Sequence, residues 1–354
     1  MVWVRRLRIR DLRNIQDETV DLHPGLNVFF GENAQGKTSL LEAVGLVARG
    51  RSFRTDDAPS LIRRGAVGLL AAADAGEDAA SALEVELQPG RRSFRVDGRD
   101  VQPREYHGRL EVVIYSTDRL RVVRGSMRDR RQFLDRQAAA LWPSYRADLA
   151  VFERVLAQRN AALAARRRDE DAWTESFVER GARLRHRRAL FAARLTKTLA
   201  DGFRPRGERY EVHVRSHGGG EDRERRALAE EVKEQLPRER AAGRSLAGPQ
   251  RDPVALLLDG RDAAAGASSG QARSLLLALA LASLRVYREE RGLSAVALLD
   301  DLDSELDEER AGEICAAVAG RGQALVTSAH PGWAESLRAL GRIYHVSGGA
   351  VRCA

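Results

Sequence analysis

Gly31, Gly36, Lys37 and Thr38 keep the spacing G-x-x-x-x-G-K-[ST], between an apolar run at 28–30 and a stretch of helical composition at 39–44. That order suits a phosphate. Backbone N–H groups of such a loop and of the first helical turn point into one concavity, where the helix dipole also favours an anion. Glu32, Asn33, Ala34, Gln35 and Ser39 complete the expected phosphate cradle. Composition singles out Lys37: of 59 basic residues only Lys37, Lys197 and Lys233 are lysine. A compact ammonium serves β- and γ-phosphates where a forked guanidinium would not fit.

A second set of residues matches the first. The apolar run 296–299 ends in Asp300-Asp301, and a carboxylate at the end of a strand beside a phosphate loop is placed to hold the water shell of Mg²⁺, with the Thr38 hydroxyl as direct ligand. Asp300 and Thr38 are therefore the expected metal residues, and Asp301 is expected to orient or deprotonate an attacking water. Lys37, Asp300 and Asp301 form the expected catalytic set for ATP. Further on, Gly266-Ala267-Ser268-Ser269-Gly270-Gln271 opens an apolar helix over 271–290. Ser268, Gly270 and Gln271 there make either a second anion cradle or a simple helix cap.

These residues need a scaffold, and 354 residues allow two domains or one with a large insertion. No apolar run approaches the roughly 18 residues of a membrane span, and the N-terminus alternates like a strand without a secretory apolar region, so a cytoplasmic location is expected. Cys315 and Cys353 have neither metal-ligand nor disulfide spacing. A net charge of +8 permits a polyanionic partner.

Strand-like segments fall at 2–9, 26–30, 83–87, 93–96 and 110–115, with Asp97-Gly98 as a hairpin turn. From about 118 the texture becomes arginine-dense helix. Residues 145–165 and 177–199 carry apolar residues on one face and read as an antiparallel helical hairpin joined by the charged link 166–171. A possible strand at 210–214, a surface loop at 216–225 and a charged helix to about 242 follow. Strands at 254–258, 296–299, 324–327 and 343–346 complete the pattern. Residues 1–115 with 246–354 are expected to form one α/β lobe, interrupted by a mainly helical insertion, 116–245.

Arginines cluster at 119–131 and at 180–188. Arg128, Arg130, Arg131, Arg183 and Arg187 are the candidates for DNA phosphates. With few aromatics beside them, they suit duplex backbone rather than stacked bases.

Several words in the chain carry a resemblance: Phe30-Gly31-Glu32-Asn33-Ala34-Gln35-Gly36-Lys37-Thr38, Arg51-Ser52-Phe53-Arg54-Thr55, Arg130-Arg131-Gln132-Phe133-Leu134-Asp135, Gly248-Pro249-Gln250-Arg251-Asp252, Ser268-Ser269-Gly270-Gln271 and the run from Asp300 to Asp307. Together they are similar to the cassette ATPases of chromosome maintenance and repair, and within these to the RecF family. The resemblance implies an α/β fold, an ABC-type P-loop ATPase head of mixed sheet and helices with an inserted mainly α-helical lobe. It also implies a slow, DNA-stimulated ATPase that dimerises on ATP, with the Ser268 cradle closing on the partner copy's γ-phosphate and residues 304–307 touching the other subunit. The partners it implies are gapped or double-stranded DNA, RecR and RecO, with RecA loaded downstream. Ser116-Thr117-Asp118, Gln250 and Ser269 depart from the family pattern. Thr327-Ser328 matches it, so His330 is expected to be a loop residue. The transporter alternative, the nucleotide-binding subunit of a membrane ABC protein, fits the helical insertion and Asp301 less well.

Overall fold

The computed structural model describes residues 2–354 apart from 78, 166–169, 206 and 305. Most of the charged link expected at 166–171 therefore lies outside the described residues, as does Glu305 of the 304–307 segment. The chain divides into two units, Met1–Leu120 with Tyr287–Ala354, and Arg121–Val286.

In the first unit, one six-stranded sheet runs Ala350–Cys353, Gly341–Ser347, Leu26–Phe30, Ala324–Ser328, Val296–Leu299, Val112–Tyr115 in spatial order. All neighbours are parallel except the edge pair formed by Gly341–Ser347 and Ala350–Cys353. Burial explains its sequence texture. Val296–Leu299, Ala324–Ser328 and Val112–Tyr115 are buried at every position, as strands covered on both faces must be.

The second sheet is antiparallel, in the order Ile15–Asp21, Trp3–Leu12, Leu69–Gly76, Ala80–Gln88, Arg91–Val96, Arg99–Asp100. Here one face is wet. Val4, Leu7, Ile9 and Leu12 point inward while Arg6, Arg8 and Arg10 alternate outward. The helix Lys37–Arg49 shares one core with both sheets: its Leu40, Leu41, Val44 and Val47 pack with Ile9, Ala71, Val85, Ile114 and Leu298. It ends at Gly50, whose φ of 65° makes a left-handed cap. The Asp97-Gly98 turn appears as expected, both residues at positive φ.

The second unit is built on the helices Met127–Leu141, Pro143–Ala164, Glu170–Ala200 and Glu221–Ala242. Phe152 and Phe177 meet tilted, ring centroids 5.3 Å apart, between the second and third of these, consistent with the expected hairpin. Inside, Arg159 pairs with Glu239 at 2.6 Å, both side chains fully buried, and Ser245 accepts from the same guanidinium. Two expectations need correction. Residues 246–286 belong to this unit rather than to the α/β lobe, because Val254–Leu258 pairs antiparallel with Tyr210–Val214. The loop expected over 216–225 already turns helical at Glu221, because the buried carboxylate of Glu224 gathers Ser216 Oγ and the N–H and ring of His217 against the first helical turn.

Candidate nucleotide site

The glycine loop leaves the carboxyl end of Leu26–Phe30, and Asp300-Asp301 leaves that of Val296–Leu299, with only Ala324–Ser328 between the two strands. Carboxyl ends of parallel strands are where α/β sheets present ligand sites. At Gly31 a Cβ would stand 2.2 Å from the Val346 carbonyl oxygen, so no other residue passes there. Ala34 holds a left-handed φ of 64°, at a cost of about 1–2 kcal/mol, the kind of strain functional loops retain. Gln35 braces the loop against the last hairpin: its Oε1 accepts from Gly348 N at 2.6 Å and its carbonyl from Gly349 N at 2.9 Å.

Lys37 Nζ donates to the carbonyls of Gly31 (2.6 Å) and Glu32 (2.7 Å), folding over its own loop. Burial holds its pKa below the ordinary lysine value, against the opposing pull of Asp301, Asp300 and Asp303. Thr38 Oγ1 donates to Asp300 Oδ1 at 2.9 Å. The same oxygen accepts from Thr327 Oγ1 (2.8 Å), and Ser116 Oγ donates to Oδ2 (3.1 Å). Burial pushes the Asp300 carboxyl upward and these three hydroxyls oppose it. Asp301 has a left-handed φ of 52°, and its N–H donates to Thr327 Oγ1 at 2.8 Å. Lys37, Thr38, Asp300 and Asp301 are thus brought together. The hydroxyl of Thr38 and the carboxylate of Asp300 form an all-oxygen pair, the donor set suited to a hard cation completed by phosphates and water.

Sequence reasoning missed part of this cluster. Thr327 bridges both aspartates, and Ser116, noted only as a departure, reaches Asp300. His330 lies in the loop, as expected, with Nδ1 3.1 Å from Asp303 Oδ2, the oxygen that also accepts from Ser328 Oγ. The adjacent hydroxyls Thr327 and Ser328, closing an otherwise apolar strand, were the available signal. The word Arg51-Ser52-Phe53-Arg54-Thr55 is organised by Glu42, fully buried, which accepts from Arg13 Nε and Nη2 (3.0 and 3.1 Å) and from the Ser52 hydroxyl. Ser52 Oγ in turn accepts from the N–H groups of Arg54 and Thr55, and Arg54 pairs with Asp118 at 2.6 Å.

Ser268, Gly270 and Gln271 lie in the second unit. Ser268 Oγ accepts from Gln271 N (3.2 Å) and Gln271 Oε1 from Ser268 N (2.9 Å), a reciprocal cap on the helix Ser269–Arg291.

The arginine candidates divide. Arg130 is 1% exposed, bonded twice to Asp262 and to the carbonyls of Val254 and Val123, so it is a core residue and not a phosphate contact. Arg183 and Arg187 share Asp148, and Arg183 also meets Glu179 and Glu221. Their positive charge is largely neutralised in place. Arg131 is half-buried with one nitrogen on the Asp252 carbonyl; Arg128 is exposed.

The loop, the carboxylates and the parallel sheet define an ABC-type P-loop ATPase head of the kind shared with SMC proteins. Residues 3–352 match the family model for the RecF/RecN/SMC N terminal domain. The DNA replication and repair protein RecF of Symbiobacterium thermophilum is 37% identical over 344 residues, covering 92% of this chain and 91% of that protein. RecF of Moorella thermoacetica is 32% identical over 336 residues, with 93% and 90% covered. A solved structure of the recombination mediator protein RecF-ATP in the RecFOR pathway superimposes with a TM-score of 0.90 at 24% identity, covering 100% of this chain and 98% of that one. The Smc head domain from Pyrococcus furiosus gives 0.61 at 13% identity, with 100% and 96% covered. The chain belongs to the RecF family of DNA replication and repair proteins. Among the described residues no helix is long and apolar enough to cross a membrane.

Proposed function

We propose that this chain is an ATP-switched DNA clamp and recombination mediator: it dimerises on ATP, holds gapped DNA near duplex/single-strand junctions, and with RecR and RecO assists loading of RecA in the cytoplasm. The observation that carries the reading is the convergence of Lys37, Thr38, Asp300 and Asp301 in a chain of this family.

In this reading Lys37 exchanges the Gly31 and Glu32 carbonyls for β- and γ-phosphate oxygens, its charge favoured by the nearby aspartates. Gly31, Glu32, Asn33, Ala34, Gln35, Gly36 and Ser39 line the cradle. Thr38 and Asp300 would hold Mg²⁺, which supplies charge neutralisation on the phosphates. Asp301 orients the attacking water and accepts its proton. Ser268, Gly270 and Gln271 of a second copy would complete the site, so hydrolysis works as a slow timer on the closed dimer. With Arg130 withdrawn, Arg128 and Arg131 are the stronger of the candidate DNA contacts, and Arg183 and Arg187 contribute only if DNA displaces their carboxylates.

The test is ATP turnover with and without gapped DNA, together with DNA retention in the presence of ATP. Stimulated turnover and ATP-dependent retention are expected; neither occurring would overturn the reading.

A further inference from the structure

We propose that Arg124 is the positioning residue of the Ser268 cradle, fixing the turn that would present the start of Ser269–Arg291 to the phosphate of a second copy. The inference rests on the ATP-dimer reading above.

The cradle's own chain is weakly held. It follows a single helical turn, Ala263–Gly266, with an extended Ala267, and Gly266 has open space where a Cβ would be. Besides its reciprocal cap, the segment is held from outside by a side chain of the preceding helical turn. Arg124 Nη2 donates to the Ala267 carbonyl at 3.1 Å and lies 3.4 Å from Ser269 Oγ, bridging the residues on either side of Ser268. It leaves Ser268 Oγ itself to the capping bond with Gln271 N. The Ser269 contact gives a role to one of the departures from the family pattern: a hydroxyl at this position accepts from the guanidinium.

Arg124 also stands on a rigid base. The neighbouring Val123 carbonyl accepts from Arg130 Nη2 at 2.9 Å, and the same guanidinium makes the paired bonds to Asp262. Asp262 in turn caps the Ala263–Gly266 turn through Ala264 N at 2.8 Å. One buried arginine thus fixes the residue before Arg124 and the residue before the cradle turn, and Arg124 closes the far side. After Arg124 the chain cannot drift: a Cβ at Gly125 would lie 2.3 Å from the Arg121 carbonyl, and Ser126 with Asp129 caps the next helix reciprocally. Upstream, the same segment begins at Ser116, which donates to Asp300.

Because Arg124 and its acceptors are solvent-exposed, losing the contact leaves the Ala267 carbonyl hydrated, and the fold should survive. Arg124→Gln and Arg124→Lys separate the alternatives. With Arg124→Gln, thermal midpoint and ATP binding by the monomer should match wild type. Amide exchange over 267–271 should quicken in the monomer, and ATP-driven dimerisation should weaken about tenfold, the worth of one such bond. Arg124→Lys should recover part of both effects, since an ammonium reaches the carbonyl but does not hold the fork's geometry. Unchanged exchange, or a dimer as tight as wild type, would overturn the role of Arg124. Failure of the wild type itself to dimerise on ATP would instead overturn the underlying reading.

Discussion

Replacing Thr327 by Val tests how the two aspartates are held. The side chain is fully buried, and the exchange is close to isosteric, so packing changes little. What is lost is a hydroxyl that donates to Asp300 Oδ1 and accepts from Asp301 N, both at 2.8 Å. A hydrogen bond to a charged group contributes about 1.5–3 kcal/mol, and leaving the part-buried Asp301 N–H without this acceptor costs about 1 kcal/mol, the low end for an unsatisfied donor. Asp300 keeps Thr38 and Ser116, so the lower half of the sum applies, about 3 kcal/mol. The functional loss should be larger than the stability loss suggests. Asp301 sits at a left-handed φ that the Thr327 bond helps maintain, and a displacement of about 1 Å at a reacting group costs about a hundredfold in rate. The assays are urea unfolding followed by amide exchange of Ala324–Ser328, and ATP turnover at saturating nucleotide. Thr327→Val should lower stability and turnover while ATP still binds, and Thr327→Ser should restore both. A valine variant with wild-type turnover would refute the reasoning.

Arg130→Ala should destabilise the second unit rather than merely weaken DNA binding. Removing one partner of a buried pair costs about 3–5 kcal/mol, and the partial exposure of Asp262 puts the expected loss near the lower bound, read by urea denaturation and exchange over Val254–Leu258. Lys37→Arg should abolish most turnover, because a forked guanidinium does not reproduce the compact ammonium that the Gly31 and Glu32 carbonyls hold, and retained turnover in a steady-state assay would contradict its role. Glu224→Gln addresses pH. Burial raises the Glu224 carboxyl, but bonds from the His217 ring and N–H and from Ser216 outweigh it, and the net pKa lies below the ordinary value. A depressed folded pKa gives stability present above the unfolded value, near 4.3, and lost as pH falls through the folded one. The glutamine variant should therefore be less stable than wild type at pH 7, by about 2 kcal/mol, with the gap closing in acid; equal urea midpoints at pH 7 would count against it.

The phosphate loop was legible in the sequence because its chemistry is local: glycine, lysine and threonine at fixed offsets dictate both the turn and the site. The strand ending in Asp300 was legible for the same reason, and the order of apolar runs marked the parallel sheet. Leu69–Gly76 was not, since five of its eight residues are alanine or glycine and carry no β-propensity signal. The return of the chain to the first unit was misplaced because local pattern marks Val254–Leu258 as a strand without saying which strand it pairs with. Charge was the least informative. Arg130 and Arg128 read alike in sequence, yet Asp262, 132 residues further on, makes one of them a core residue.

ATP-dependent pairing of two copies is the claim on which the clamp depends, and solution mass measures it directly. With ATP and Mg²⁺ and a turnover-deficient Asp301→Asn chain, sedimentation should give the dimer, while ADP or no nucleotide should give the 39.1 kDa monomer. The same mass under all three conditions would contradict the account.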